Sequence, residues 1–290
     1  MIPIVLESGA ARLEVAVLGA EARRWSVGGV ELLWRGDAAI WGEISPILFP
    51  IVGWTRDGAR VNGRRYPLEL HGFARHKPFE VFARSADRVR LVLEDDRATR
   101  ALYPFPFRLG VEYRLGPDRL TICLEVENPG DAPLPYACGL HPGFRWPVEG
   151  DVRDGATVRF AEPETGEVAV IAPGGLFSKA LRKLPFSGRE LPLSEALFAS
   201  DALCFLDPSS RALQFIMAGG ATIEMDFSGF DHCALWTRPH APFLSLEAWT
   251  GYGDPEGFAG DLYEKPSMKI LAPGERARRE ATFRFSRQSA

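Results

Sequence analysis

Wherever the chain is regular, apolar and polar residues alternate with a period of two. In "RLEVAVLG" the residues Leu13, Val15 and Val17 share one face; in "RVRLVLED" it is Val89, Leu91 and Leu93; in "RLTICLEVEN" it is Leu120, Ile122, Leu124 and Val126. Successive side chains of an extended backbone point to opposite sides, so each run predicts a strand with one buried face. The same alternation marks "FRLGVEYRL", "ATIEMDFSG" and "ATFRFS", with Gly, Pro, Asp and Asn clusters between. Helical spacing is confined to "LPLSEALFASDAL", which predicts a turn or two with Ser194 at the N-cap. Strands without intervening helices predict an all-β, antiparallel sandwich and argue against a parallel α/β sheet.

Composition narrows this picture. The 290 residues, 46% of them hydrophobic, suffice for a large core, and the 29 glycines and 23 prolines are spread along the chain and not gathered into a linker. One domain over residues 1–290 is expected. A formal charge of −4 offers no basic field to a nucleic acid or an anionic membrane surface, and suits a small ligand better. No cationic leader opens the chain and no apolar run has the ~18 residues of a membrane span, so a cytoplasmic location is expected. Cys123, Cys138, Cys204 and Cys233 lie scattered among apolar neighbours without a C-x-x-C pair, which predicts buried, reduced thiols.

Dinucleotide and phosphate loops, H-E-x-x-H and the G-x-S-x-G elbow are all absent, and "GYGDPEGFAGD" reads as a loop. What remains is a set of polar residues in apolar surroundings: His71 in "LHGFAR", His141 in "CGLHPGFRWP" and Glu247 in "FLSLEAWTG". A lone histidine so placed is either a satisfied core residue or a ligand contact. Glu247 is more demanding. A carboxylate between Leu246 and Trp249 costs several kcal/mol if charged and unpaired, so it requires a partner or a raised pKa, the profile of a general base. His76 and His240 read as exposed loop residues. His232 beside Asp231 is either an acid/base pair or a capped turn.

Taken together, "SPILFPIVG", "NGRRYPLELHGFAR", "NPGDAPLPYACGLHPGF", "LSLEAWTG" and "KILAPGE" resemble, in that order, the motifs of the aldose 1-epimerase (mutarotase) family, in its bacterial branch with the H-G-F-A-R form. The resemblance covers nearly the whole chain. It implies a galactose-mutarotase-like β-supersandwich that interconverts the α and β anomers of an aldose without cofactor or metal. By the same resemblance Glu247 is the general base at the anomeric hydroxyl, His141 the general acid at the ring oxygen, and His71 a hydrogen-bonding partner of the sugar. Arg75 is implied as a ligand contact, four residues after His71 and on its side if the segment is extended, and Arg56 in "GWTRDG" as another. Asp201 in "ASDALCFLD" is preferred over Asp231 as the substrate-binding aspartate. Phe73, Phe144, Trp146, Trp236 and Trp249 are aromatic candidates for the apolar face of a sugar or for plain core packing. Ala248 stands where the family motif has proline, and Gly143 where it has alanine; neither change removes a functional group.

The residue types suit the reaction. Opening a pyranose requires a proton to leave O1 while another reaches O5, hence a base and an acid at once. Two further readings stay open: mutarotation of a hexose phosphate with Arg75 and Arg56 as phosphate ligands, and a carbohydrate-binding protein without turnover. The partner in each is a small sugar, with no nucleic acid or membrane, and the chain is a monomer or a homodimer.

Overall fold

A computed structural model describes residues 2–287. Two antiparallel sheets dominate it. The larger has nine strands in the order Glu190–Pro192, Thr157–Phe160, Ala212–Ile216, Ala221–Asp226, Arg276–Arg287, Arg119–Glu127, Arg108–Leu115, Arg88–Glu94 and Glu80–Arg84. The smaller runs Leu203–Phe205, His232–Trp236, Phe243–Trp249, Gly139–Leu140 and Ile47–Leu48, with Gly143–Arg145 also pairing with Phe243–Trp249.

The alternation read from the chain is the one that folds. Leu120, Ile122, Leu124 and Val126 are buried, as are Val89 and Leu91 on the neighbouring side of the same sheet. The opposite face of the nine-stranded sheet carries cross-strand ion pairs, among them Arg88 with Glu112 and Arg90 with Glu125, so its polar residues are matched in charge rather than left against one another. The basic residues of "GERARRE" fall after a turn and enter the long strand Arg276–Arg287, where Arg278 lies 3.5 Å from Glu112. One continuous core includes Leu6 and Leu13 near the start and Phe283 and Phe285 near the end.

Two local expectations change. The turn at Ser194 is a single 3-10 turn, Glu195–Phe198, and the Ser194 side chain makes no capping bond. Among the described residues the one α-helix lies elsewhere, at Arg97–Leu102, where Asp96 accepts from the Thr99 amide and the Thr99 hydroxyl accepts from the Asp96 amide, a reciprocal capping box. All four cysteines are free and buried. Among the described residues no helix is long and apolar enough to cross a membrane.

Candidate active site

The strand Phe243–Trp249 is buried along its whole length. Its even positions, Leu244, Leu246 and Ala248, belong to the main core, while Ser245, Glu247 and Trp249 share the other face, two residues apart. Glu247 and Trp249 line a cavity of about 570 Å³, within the usual range of small-ligand sites. Across the sheet Glu247 pairs with Ala234, and Ala234 with Cys204, so small side chains flank the carboxylate on that side.

His141 enters from the opposite side by strand register. Leu140 pairs with Ala248 and Gly143 with Ser245, and the same register continued through the intervening residues sets His141 opposite Glu247. The imidazole Nε2 lies 3.2 Å from Glu247 Oε2. Ser245 fixes the other nitrogen: its Oγ donates to the Pro142 carbonyl at 3.0 Å and sits 2.9 Å from His141 Nδ1. With its hydrogen committed to Pro142, the Ser245 oxygen accepts, so Nδ1 carries a proton and Nε2 faces the carboxylate. Trp249 Nε1 donates to the same Glu247 oxygen at 3.1 Å. The Trp249 indole also passes over Gly139, where a Cβ would stand 2.7 Å from its Cδ1.

Burial governs the electrostatics. Desolvation raises the Glu247 carboxyl well above its ordinary range, opposed by the Trp249 hydrogen bond and reinforced by Asp201. Desolvation likewise lowers His141 to about 3. Burial therefore favours a protonated Glu247 carboxyl beside a neutral His141 imidazole. Trp41 and Trp236 stand around the imidazole with ring centroids 5.1 and 5.4 Å away.

His71 reaches the cavity by a turn. It and Gly72 both have positive φ, 60° and 70°, and the next residues form the 3-10 turn Ala74–His76. A Cβ on Gly72 would stand 2.3 Å from the Phe49 carbonyl oxygen, so only glycine permits this approach. The expected extended geometry is thus corrected: Arg75 shares the cavity with His71 because the chain folds back, not because faces alternate. His71 Nδ1 accepts from the Gly53 amide at 3.0 Å, which leaves the Nε2–H for a ligand. Burial, then the nearby His141 and Arg75, lower its pKa well below the ordinary value and keep it neutral. Arg75 is 11% exposed and ion-paired with Glu43, its Nε 3.0 Å from a carboxylate oxygen.

Glu247, His141, His71, Arg75, Asp201 and Trp249 all line this cavity. Arg56 does not; it lies in an adjoining groove, its amide bonded to Asp254. Asp231 is absent from the lining and pairs with Lys269 at 3.0 Å. Of the aromatic candidates, Trp236 and Trp249 line the cavity, whereas Phe73, Phe144 and Trp146 are core residues. Trp41, Glu43, Trp54 and Ser245 escaped the sequence reading. For Ser245 a signal existed: it is the polar residue two before Glu247, hence on the same strand face. His240 and His76 are surface groups, paired with Glu195 and Arg75, and His232 accepts from the Asp207 amide through Nδ1.

This antiparallel supersandwich is the architecture of galactose mutarotase-like proteins. The chain belongs to the aldose 1-epimerase family, whose sequence model matches residues 3–284. It is 28% identical over 257 residues to the plasmid-borne protein LacX of Lactococcus lactis subsp. lactis, covering 84% of this chain and 86% of that protein. A galactose mutarotase-like protein from Lactobacillus casei ATCC 334 superposes with a TM-score of 0.90 at 25% identity, over 98% of this chain and 100% of that one. A galactose mutarotase related enzyme from Lactobacillus acidophilus shares the fold with a TM-score of 0.89 at 24% identity, over 98% and 97%.

Proposed function

We propose that this protein is a cytoplasmic, cofactor-independent aldose 1-epimerase acting on a free hexose. The observation that carries the reading is the His141 to Glu247 contact of 3.2 Å, a buried acid/base pair with one shared proton. Ring opening uses the pair as imidazolium and carboxylate: Glu247 takes the O1 proton, His141 gives a proton to O5, and the C1–O5 bond breaks to leave an open-chain aldehyde. The pair is then carboxylic acid and neutral imidazole. After rotation about C1–C2, His141 takes the proton from O5, O5 attacks the other face of C1, and Glu247 returns its proton to O1. Proton number is unchanged throughout, so neither cofactor nor solvent proton is needed. His71, neutral and donating from Nε2, hydrogen-bonds the sugar, and Trp249 and Trp236 offer apolar faces to its carbons. The four free, buried thiols are in keeping with a reducing compartment.

The hexose phosphate reading keeps Arg75, ion-paired with Glu43 but with Nη1 unpartnered, and Arg238, which also lines the cavity, but loses Arg56, which lies outside it. A binding protein without turnover has no use for a carboxylate buried to 1% exposure against an imidazole. The test is mutarotation of α-glucose, α-galactose and glucose 6-phosphate followed by polarimetry or NMR, with Glu247→Gln alongside. Acceleration of the free sugars that vanishes in the variant is expected; faster turnover of the phosphate, or acceleration that survives the variant, overturns the reading.

A further inference from the structure

Beside the catalytic cavity lies a second, open groove of about 590 Å³. Trp54 borders both spaces and is 40% exposed. It follows directly on Gly53, the residue bonded to His71, so the groove begins one residue from the catalytic machinery. Its apolar wall is Trp54, Leu68 and Leu176, and its polar groups are Arg56, Asp57 and Glu69. Arg56 stands 4.0 Å from Asp57, and a second carboxylate is close by, so the groove holds no surplus positive charge for a phosphate.

The wall is held in place before any ligand arrives. The Trp54 carbonyl accepts from the Asp254 amide at 2.9 Å, and the Arg56 amide donates to Asp254 Oδ2 at 2.8 Å. Asp254 is itself paired with Lys265 at 3.1 Å, the two side chains 3% and 1% exposed. Burying an ion pair carries a desolvation cost, and here it anchors the segment that carries Trp54 and Arg56. On the other side a Cβ at Gly175 would meet Trp54 Cδ1 at 2.3 Å, so a glycine in the turn between the paired strands Glu167–Ala172 and Leu176–Lys183 lets that turn lie against the indole edge. A fixed aromatic surface next to carboxylates and a guanidinium is suited to a neutral, polyhydroxylated ring: its carbons lie on the indole and its hydroxyls bond the charged groups.

We infer that the groove binds the second sugar ring of a reducing oligosaccharide whose reducing-end aldose occupies the catalytic cavity. The inference rests on the epimerase reading for its chemistry, which occurs only at the reducing end and leaves the glycosidic bond intact. The occupant follows from continuity with the cavity through Trp54 and from the lack of surplus positive charge.

The experiment compares D-glucose with lactose, maltose and melibiose, each reducing at a glucose unit, in the wild type and in Arg56→Ala/Glu69→Ala. Arg56→Ala keeps the backbone amide that bonds Asp254. At least one disaccharide is expected to match or exceed glucose in kcat/KM and to lose about tenfold in the double variant, while glucose stays within twofold. If no disaccharide reaches the glucose value, or if the variant lowers both in proportion, the groove has no such role. Calorimetric binding to Glu247→Gln separates the two readings. A disaccharide preference that disappears on adding the groove substitutions upholds the groove even if no sugar turns over, a result that would sink the epimerase reading alone; equal affinities for glucose and all three disaccharides overturn the groove.

Discussion

Replacing Ser245 by alanine removes one oxygen that lies outside the cavity lining yet sets the protonation of His141, the proposed acid. In the wild type that oxygen accepts from His141 Nδ1–H and donates to Pro142, whose carbonyl also accepts the Leu246 amide at 3.1 Å. Pro142 therefore stays satisfied in the variant, and the orphaned group is Nδ1–H. The loss weighs most on the imidazolium, the form that delivers the proton to O5. A hydrogen bond to a charged group contributes about 1.5–3 kcal/mol, which at about 1.4 kcal/mol per decade lowers kcat by roughly ten- to a hundredfold. KM should change less than threefold. Polarimetry at saturating glucose measures the rate, and nitrogen-proton correlation NMR of the His141 ring reports which nitrogen is protonated. Ser245→Thr keeps the hydroxyl and should recover most of kcat even where its extra methyl lowers the melting temperature. A Ser245→Ala enzyme with kcat within twofold of wild type, or equal losses in the alanine and threonine variants, would refute the positioning role.

Glu247→Gln retains the shape of the site but removes the base, and should lower the mutarotation rate by about 10² or more. Trp249→Phe removes the 3.1 Å donor that opposes burial at Glu247; its carboxyl pKa should rise further, read as a shift of the Glu247 titration to higher pH by NMR together with a fall in kcat. Stability should be flat in pH, as far as this pair decides it, between the ordinary values of 4.5 and 6.5, where folded and unfolded chains each hold one proton on it. It should fall as pH rises from 6.5 through the raised Glu247 pKa, where only the folded chain keeps the proton, and as pH drops from 4.5 toward about 3, where the unfolded chain holds two; thermal unfolding of Glu247→Gln should lack the alkaline limb.

The sheets were legible because burial in an antiparallel sandwich acts on every second residue, and "RLTICLEVEN" keeps that period over its whole length. The short helix was not, since Arg97–Leu102 has fewer than two turns of pattern and announces itself only through Asp96 and Thr99. At the site, Glu247 and His141 stood out as polar residues in apolar runs, but their pairing depends on register between strands over a hundred residues apart, which no local pattern encodes. His71 and Arg75 were placed on one side for the wrong reason. A left-handed residue followed by a left-handed glycine is dictated by the Phe49 carbonyl pressing on Gly72, a contact made in space. Arg56 was grouped with them by motif, whereas the bond from its amide to Asp254 carries it into the next groove.

Mutarotation imposes an unusual demand on a buried pair. In the proposed mechanism opening starts from carboxylate and imidazolium, closure starts from carboxylic acid and imidazole, and neither state can lie far below the other if both halves are to run. Burial alone favours the neutral state strongly, since it raises Glu247 and lowers His141. The other residues on the same strand face act against burial: the Trp249 N–H stabilises the carboxylate, and the Ser245 oxygen stabilises the imidazolium through Nδ1. The period-two run Ser245, Glu247, Trp249 thus places the proposed base and one support for each charge on a single strand, with His141 opposite in register. Burial sets the two states of the pair apart, and these two hydrogen bonds bring them closer in energy.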